Sequence, residues 1–236
     1  MFDEEILWNI SLMLLCYAYI LLFILASSII SKTFHVSIKT SRKFLHAMIG
    51  NLPFVIPFFT SNIYPVLVAA PFILITFLVS PYSPFPNIGK RLMGLASITE
   101  KGHSLGLVFY AISYTVLALF FASKPYIIAA GVLPLAYGDA AASIVGERYG
   151  RKRYHFFADK SLEGSVAMFF ASFLSLFIGL FFFSTLYSFS VFDKILPLLA
   201  STIAATLLEG VSPLGFDNLI VPISCALVFT VLGGGI

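Results

Sequence analysis

The chain has 236 residues, of which 59% are hydrophobic and 11% are charged, with a formal net charge of +3. Soluble globular chains are about one-quarter charged, so this composition excludes an ordinary soluble protein. The apolar residues stand in long runs, and a run of roughly 17–25 such residues crosses a bilayer as a helix. The sequence therefore predicts an all-α, polytopic transmembrane helical bundle.

Run length predicts about eight membrane spans. The first run follows three acidic residues at positions 3–5 and has no basic region before it. We therefore interpret it as a retained span rather than a cleaved signal peptide. The predicted spans are 6–30, 44–60, 63–80, 104–122, 125–146, 162–183, 192–210 and 218–234.

Basic residues lie almost entirely on alternate connections between these spans. Twelve of the fourteen are found there: Lys32, Lys39, Arg42 and Lys43, then Lys90, Arg91 and Lys101, then Arg148, Arg151, Lys152, Arg153 and Lys160. The positive-inside rule places these three connections in the cytosol and both termini outside. The connection from Pro81 to His103 carries apolar residues at helical spacing, which fits a short interfacial helix or a solvated linker.

Two carboxylates stand near the predicted ends of apolar spans. Asp139 lies in the last turns of the fifth span, and Glu209 ends the seventh. Partial desolvation and the negative end of the helix dipole both disfavour a carboxylate there. A divalent metal or a nearby basic side chain must therefore compensate. The small residues around Asp139, including Gly138, would let a flat ligand approach the backbone or would only let helices pack closely.

The start of the sixth span resembles an anion site. Lys160 and Ser161 flank free backbone N–H groups at this helix N-terminus, an arrangement that favours phosphate. The alternative is that Asp159 or Ser161 merely caps the helix. Glu163 lies one turn further on, where it could be structural or could hold a metal.

Further polar residues lie at the same predicted face. Arg42 and His46 are one helical turn apart at the start of the second span, beside Lys43. The two basic residues could be interfacial anchors only, and a lone histidine is more often a packing residue than a catalyst. Asp217 and Asn218 begin the eighth span, where capping is the alternative reading.

Acids in costly positions, clustered bases and helix N-termini together suit a complex of a nucleotide with Mg²⁺. The sequence has neither the G-x-x-x-x-G-K-[ST] phosphate loop nor the G-x-G-x-x-G kinase loop. Phosphoryl chemistry of the soluble P-loop or protein-kinase kind is therefore excluded.

The order of these motifs resembles the polyprenol kinase family, which includes dolichol kinases, phytol kinases and CTP-dependent diacylglycerol kinases. The resemblance covers roughly residues 40–225. It rests on Arg42-Lys43-x-x-His46, Gly138-Asp139-x-x-Ala142-Ser143-x-x-Gly146, Lys160-Ser161-x-Glu163-Gly164-Ser165, Glu209 and Asp217-Asn218-x-x-x-Pro222.

The resemblance implies transfer of a phosphoryl group from CTP to the hydroxyl of a membrane lipid alcohol. Residues 1–236 would then form one transmembrane catalytic domain with a cytosolic active site. The nucleotide-binding candidates are Arg42, Lys43, Gly138, Ser143, Gly146, Arg148, Arg151, Lys152, Lys160 and Ser161. The catalytic candidates are Asp139, His46 and Glu209, and those for Mg²⁺ are Asp139, Glu163, Asp217 and Asn218.

The sequence leaves other functions open. A phosphatidate cytidylyltransferase would also use CTP and Mg²⁺, but it would release pyrophosphate. A transporter would place its acids near the bilayer midplane, whereas here they gather at one face. We expect a prokaryotic plasma membrane and no nucleic-acid partner, and a homo-oligomer stays open. Eukaryotic dolichol kinases carry additional N-terminal spans that this chain lacks, which leaves shorter isoprenols or diacylglycerol open as acceptors.

Overall fold

The computed structural model of the protein describes residues 2–33, 38–85, 105–157, 159–213 and 215–235. The described residues are mainly helical, with one small two-stranded sheet. The helices are α1 (Phe2–Thr33), α2 (Ile38–Ile49), α3 (Ile63–Ala69), α4 (Pro71–Val79), α5 (Gly106–Phe121), α6 (Pro125–Leu133), α7 (Asp139–Tyr149), α8 (Leu162–Ser184), α9 (Ile195–Val211) and α10 (Asp217–Phe229). The strands are β1 (Arg153–His155) and β2 (Asp159–Ser161).

The helical membrane bundle is confirmed, but the count of eight spans is not. Within the described ranges, five helices are long and apolar enough to cross a membrane, and two apolar helices are shorter. The long ones are Asp3–Ser31, Pro125–Tyr149, Leu162–Ser184, Phe192–Val211 and Asp217–Gly234, and the short ones are Ile63–Val79 and Gly106–Phe121. The outward position of the termini stays a prediction, and residues 86–104 of the proposed interfacial segment lie outside the described residues.

The second predicted span, 44–60, is wrong as a continuous helix. Helix α2 ends at Ile49, and two short 3₁₀ turns follow at Leu52–Phe54 and Ile56–Phe58. Pro53 and Pro57 stand inside these turns, and proline both lacks an amide donor and clashes with the preceding helical turn. The interruption by proline therefore outweighs the apolar composition of this segment.

This broken segment nevertheless runs antiparallel to α1. The hydroxyls of Ser27 and Ser41 lie 2.8 Å apart at one end. At the other end, the Thr60 amide donates to the Asn9 side chain at 3.0 Å. The start of α2 is thereby fixed beside the C-terminal part of α1, and its basic residues are held at that end of the bundle.

Helix α6 forms the centre of the bundle. Every residue from Pro125 to Leu133 is buried, and α6 contacts α5, α8 and α10. A π turn at Pro134–Gly138 joins α6 to α7 without a break in the helical path. Pro134 cannot donate a backbone hydrogen bond, and a π turn is one way in which a helix accommodates such a loss.

The position of Asp139 corrects the prediction that it lies in the last turns of its span. The helix continues to Tyr149, which is 10 residues beyond Asp139. The effect of a helix dipole falls off within the last turn. The burial of the carboxylate, rather than the dipole, is therefore what a positive partner must offset.

Gly131 provides a test of how α6 packs. A Cβ atom there would meet the carbonyl oxygen of Pro222 in α10 and would lie 3.0 Å from Leu117. Alanine normally favours a helix over glycine by about 1 kcal/mol, so without this contact Gly131→Ala would raise the thermal stability. We expect a lower melting temperature in detergent, with lipid-facing Ser11→Ala as the control. An unchanged or higher value would contradict the close approach of α6 and α10.

The β-hairpin was not predicted from the sequence. Its antiparallel register pairs Arg153 with Ser161 and Tyr154 with Lys160. The Tyr154 hydroxyl lies 2.6 Å from that of Ser165 in α8, and a Cβ atom on Gly210 in α9 would lie 2.9 Å from it. The hairpin therefore lies against the ends of α8 and α9 and fixes the direction of Lys160.

Candidate active site

A polar cavity of about 210 Å³ lies where α2, α7, the hairpin and the adjoining ends of α8, α9 and α10 meet. We call it the ionic cavity, because charged side chains from distant parts of the chain converge there. Its lining residues are Arg42, Lys43, Asp139, Ala142, Ser143, Gly146, Glu147, Arg153, Asp159, Lys160, Ser161, Gly164, Ser165, Glu209 and Asp217.

An ion pair joins the Lys43 ammonium to the Asp139 carboxylate inside this cavity. The two residues are 9% and 5% exposed. An isolated buried charge is strongly unfavourable, so buried ions persist when they are paired. The sequence required either a metal or a basic side chain near Asp139, and Lys43 of α2 is such a side chain.

A second ion pair joins Lys160 of the hairpin to Glu209 in the last turn of α9. Glu209 is only 2% exposed. Burial alone would lower the pKa of the Lys160 ammonium, but the charge of Glu209 and its hydrogen bond outweigh burial and raise that pKa. Lys160 therefore stays positive throughout the neutral range.

Asp217 adds a third carboxylate at the start of α10. One oxygen accepts hydrogen bonds from the backbone and side-chain nitrogens of Asn218, each at 3.0 Å. Within the described ranges Asp217 forms no ion pair. Helix α10 begins at Asp217 itself, so the N-cap position is Phe216, and the capping interpretation of Asp217 is not supported. Of the three buried carboxylates in the cavity, Asp139, Glu209 and Asp217, it is the one for which the described residues show no ion pair.

Arg42 contributes an unsatisfied donor to the cavity. The residue is 5% exposed, and its Nη1 atom has no hydrogen-bond partner among the described residues. A buried donor without a partner is unfavourable, and a guanidinium group matches the geometry of phosphate oxygens. The position of Arg42 beside Lys43 therefore suits an anionic ligand.

Small residues hold α7 and α8 together beside these charges. A Cβ atom on Gly164 would lie 2.9 Å from the carbonyl oxygen of Ala142, and one on Gly146 would lie 3.0 Å from the Ser161 hydroxyl. Close packing is thus a demonstrable role of these glycines. Ser161 also caps α8, because its hydroxyl accepts a hydrogen bond from the Gly164 amide at 3.1 Å. Gly146, Ser161 and Gly164 all line the ionic cavity as well.

The structure brings many of the candidate residues together, but not all of them. Those that line the ionic cavity are Arg42, Lys43, Asp139, Ser143, Gly146, Lys160, Ser161, Glu209 and Asp217. Those outside its lining are His46, Gly138, Arg148, Arg151, Lys152, Glu163 and Asn218.

Packing explains several of these exclusions. The His46 ring stacks on Tyr110 with the ring centres 4.7 Å apart. Gly138 faces α8, where an added Cβ would meet the Ser172 hydroxyl. The guanidinium of Arg148 lies 5.5 Å from the ring centre of Tyr149. Each of these three candidates therefore has a packing contact with a residue that does not line the cavity.

Glu163 is half-buried and holds the basic loop in place through its backbone. Its carboxylate accepts a hydrogen bond from the Arg151 amide at 3.1 Å and from the Lys152 amide at 3.3 Å. This contact fits a structural role for Glu163, which was the alternative to metal binding. It also engages the backbone amides of Arg151 and Lys152, which are two of the candidate nucleotide-binding residues. The side chains of those two residues stay outside the cavity lining.

The candidate set missed Glu147, Arg153 and Asp159, which also line the cavity. Arg153 and Asp159 reach it because the connection between α7 and α8 folds as a hairpin. The aromatic residues in 154–157 are a signal for strand structure, and they could have indicated this arrangement.

The acidic residues fit a magnesium ion shared with a bound phosphate. No cluster of three metal-ligating side chains occurs in the described part of the chain. Mg²⁺ is usually held by one or two carboxylates together with substrate phosphates and water. Asp139 and Asp217 both line the cavity, and the buried Oδ1 of Asn218 has no hydrogen-bond partner among the described residues. The available donors are therefore of the right kind.

Comparisons with known proteins agree with the motif order. The chain is 40% identical over 147 residues to a phytol kinase of Synechocystis sp., which is 60% of this chain and 60% of that protein. It is 32% identical over 219 residues to a dolichol kinase of Saccharomyces cerevisiae, which is 89% of this chain and 40% of that protein. No family model matches the chain, and no solved structure does.

The matched region thus spans 40–60% of the length of these two relatives. In the dolichol kinase comparison it includes nearly the whole of this chain. Together with the ordered Arg-Lys, Gly-Asp and Lys-Ser motifs, these similarities support the polyprenol kinase family for this chain.

Proposed function

We propose that the protein is an isoprenoid-alcohol kinase that transfers the terminal phosphoryl group of CTP to the hydroxyl of a membrane lipid alcohol. The observation that carries this proposal is the convergence of Asp139, Glu209 and Asp217 with four cationic side chains in one cavity. The relatives named phytol kinase and dolichol kinase support it. Phosphoryl transfer depends chiefly on positioning and electrostatics, and this cavity provides both.

The cationic residues would hold the triphosphate. Arg42 has a donor without a partner among the described residues, while Lys43 and Lys160 place ammonium groups on the cavity wall. These groups and Arg153 neutralise the charge that develops on the transferred phosphoryl group. The alcohol oxygen bonds to the terminal phosphorus, the bond from that phosphorus to the leaving oxygen breaks, and CDP departs. The alcohol proton passes to a carboxylate of the cavity.

Asp139 and Asp217 would hold Mg²⁺, with the side-chain oxygen of Asn218 as a further candidate. When bound, this ion would neutralise charge on the phosphates. Asp139 would become available to the ion when the Lys43 ammonium turns from Asp139 towards the phosphates of the nucleotide. Each of the two charged side chains would then keep a partner of opposite charge. His46 lies outside the cavity lining, and we assign it a packing role against Tyr110 rather than a role as base.

We further propose that the ionic cavity faces the cytosol of a prokaryotic cell. The basic residues of the connection between α7 and α8 support this orientation through the positive-inside rule. Cysteines placed at exposed positions 151 and 156 in that connection should react with a membrane-impermeant thiol reagent only after the membrane is opened. Reaction in intact cells would contradict the orientation.

The direct test is incubation of the purified protein in lipid nanodiscs with γ-labelled CTP, Mg²⁺ and a panel of lipid alcohols. The proposal requires a labelled phosphorylated isoprenoid alcohol and free CDP. Labelled diacylglycerol phosphate alone would indicate the diacylglycerol kinase alternative. Release of pyrophosphate would indicate a cytidylyltransferase. The absence of any product with all acceptors and with both CTP and ATP would contradict a kinase.

The magnesium assignment predicts different results for two acidic residues. Asp217→Asn should raise the Mg²⁺ concentration for half-maximal activity by about tenfold, because it removes a charged oxygen ligand. Glu163→Gln is the matched control, since Glu163 lies outside the cavity lining, and it should leave the requirement unchanged. The assignment fails if the Mg²⁺ titration curves of Asp217→Asn and the unchanged protein coincide.

A further inference from the structure

A second, apolar cavity lies between α1, α2, α3, α4 and α5. It has a volume of about 50 Å³, and we call it the apolar cleft. Representative lining residues are Leu45 and Ile49 of α2, Ala69 of α3, Phe72 of α4 and Ala111 of α5. None of its lining side chains carries a formal charge. The cleft therefore suits a hydrocarbon chain and excludes the nucleotide.

Helix α2 connects the apolar cleft to the ionic cavity. Arg42 lines the ionic cavity, and Leu45 and Ile49 line the cleft. Leu45 and Ile49 are three and seven positions beyond Arg42, so all three lie on one face of the helix. With a rise of 1.5 Å per helical residue, they lie about 4.5 and 10.5 Å from Arg42 along the helix axis. Leu107, at the start of α5, also lines the cleft, and the adjacent Gly106 approaches Asn218. A lipid alcohol could thus lie along this face of α2 with its hydroxyl towards Arg42.

Two tyrosines give a second indication that the cleft receives a ligand. Tyr110 and Tyr114 line it, each is 4% exposed, and neither hydroxyl has a hydrogen-bond partner in the described residues. A buried hydroxyl without a partner is unfavourable, and phenylalanine would fill the same space without that penalty. The π electrons of an isoprenoid double bond can accept a weak hydrogen bond, whereas a saturated chain offers no such acceptor.

We propose that the apolar cleft binds the isoprenoid chain of the acceptor alcohol and that its lining residues determine which chains are accepted. This inference rests on the proposed kinase function and adds the location of the acceptor. The small volume suits a single chain rather than the paired acyl chains of diacylglycerol. The part of the chain nearest the hydroxyl lies in the cleft, and the remainder extends into the surrounding lipid.

Ala111→Phe tests the proposal by filling the cleft. With the twenty-carbon alcohol geranylgeraniol, we expect KM for the alcohol to rise about tenfold, as for the loss of roughly two buried methylene groups. KM for CTP should not change, and a five-carbon alcohol should be affected least. Leu119→Phe is the control, because Leu119 lies on the same helix but is exposed on the lipid side. Equal chain-length profiles for Ala111→Phe and the unchanged protein would overturn the proposal.

Photolabelling gives a second test that requires neither a substituted protein nor catalysis. A geranylgeraniol analogue with a photoreactive diazirine near its hydroxyl end should label residues of α2 and α5 that line the cleft. Excess geranylgeraniol should reduce this labelling. Labelling confined to the lipid-facing side of α1 would overturn the proposal. A protein that is labelled in the cleft but phosphorylates no alcohol would contradict the kinase function and leave the binding site supported.

Discussion

Asp139→Asn is expected to lower kcat for phosphoryl transfer by about 10²–10³-fold, because it removes a buried charge from the centre of the ionic cavity. It should also destabilise the protein, since it leaves the Lys43 ammonium buried without its partner. Breaking one member of a buried pair costs about 3–5 kcal/mol. Activity and the melting temperature in detergent should therefore fall together.

The double variant Lys43→Met with Asp139→Leu separates these two effects. Apolar residues that replace both members of a buried ion pair are often neutral or stabilising, so the melting temperature should recover. Activity should stay absent, because the charges that we propose hold the nucleotide and its metal are gone. Recovery of activity with stability would show that Asp139 has only a structural role. Wild-type activity in the single variant would contradict its place in the site.

Glu209→Gln is expected to make the activity sensitive to alkaline pH. In the unchanged protein the pKa of Lys160 is raised above its ordinary value of 10.5. The stability from this pair is therefore fully present below pH 10.5 and is lost only as pH rises through the raised pKa. Burial disfavours the charged form of Lys160, and without the negative charge of Glu209 less remains to offset that effect. The pKa of Lys160 should then fall below its value in the unchanged protein.

The measurement is kcat/KM for CTP between pH 7.5 and 10. The unchanged protein should keep a constant value over most of this range, whereas Glu209→Gln should lose activity as pH rises. The variant should also be less stable, near the lower end of about 3–5 kcal/mol, because Lys160 keeps some contact with water. Glu163→Gln makes the same chemical change on a residue that lies outside the cavity lining. Parallel pH profiles for both variants would contradict the role of the Lys160–Glu209 pair.

The sequence was sufficient to single out Asp139 and Glu209. Ionisable residues are rare within apolar runs and are costly there, so their presence indicated that positive partners must exist. The positions of the helices containing Asp139 and Glu209 also followed from run length, because both helices are long and apolar. These predictions needed only local composition and general energetics.

The partners themselves could not be predicted from local pattern. Lys43 meets Asp139 because α2 packs beside α7, and no spacing in the chain encodes that contact. Lys160 meets Glu209 because a hairpin directs its side chain towards α9. The same limit applies to His46, whose helical spacing placed it near Arg42 although its ring packs against Tyr110. Tertiary packing decides which polar residues share a cavity.

The Lys43–Asp139 ion pair also has a consequence for the order in which ligands load. A triphosphate that binds alone would draw Lys43 away and leave the buried Asp139 carboxylate without a partner. A divalent ion that binds Asp139 alone would leave the buried Lys43 ammonium without one. Joint arrival lets both residues exchange partners at once. Nucleotide and metal should therefore reinforce each other's affinity, and thermodynamic linkage requires this synergy to be equal in both directions.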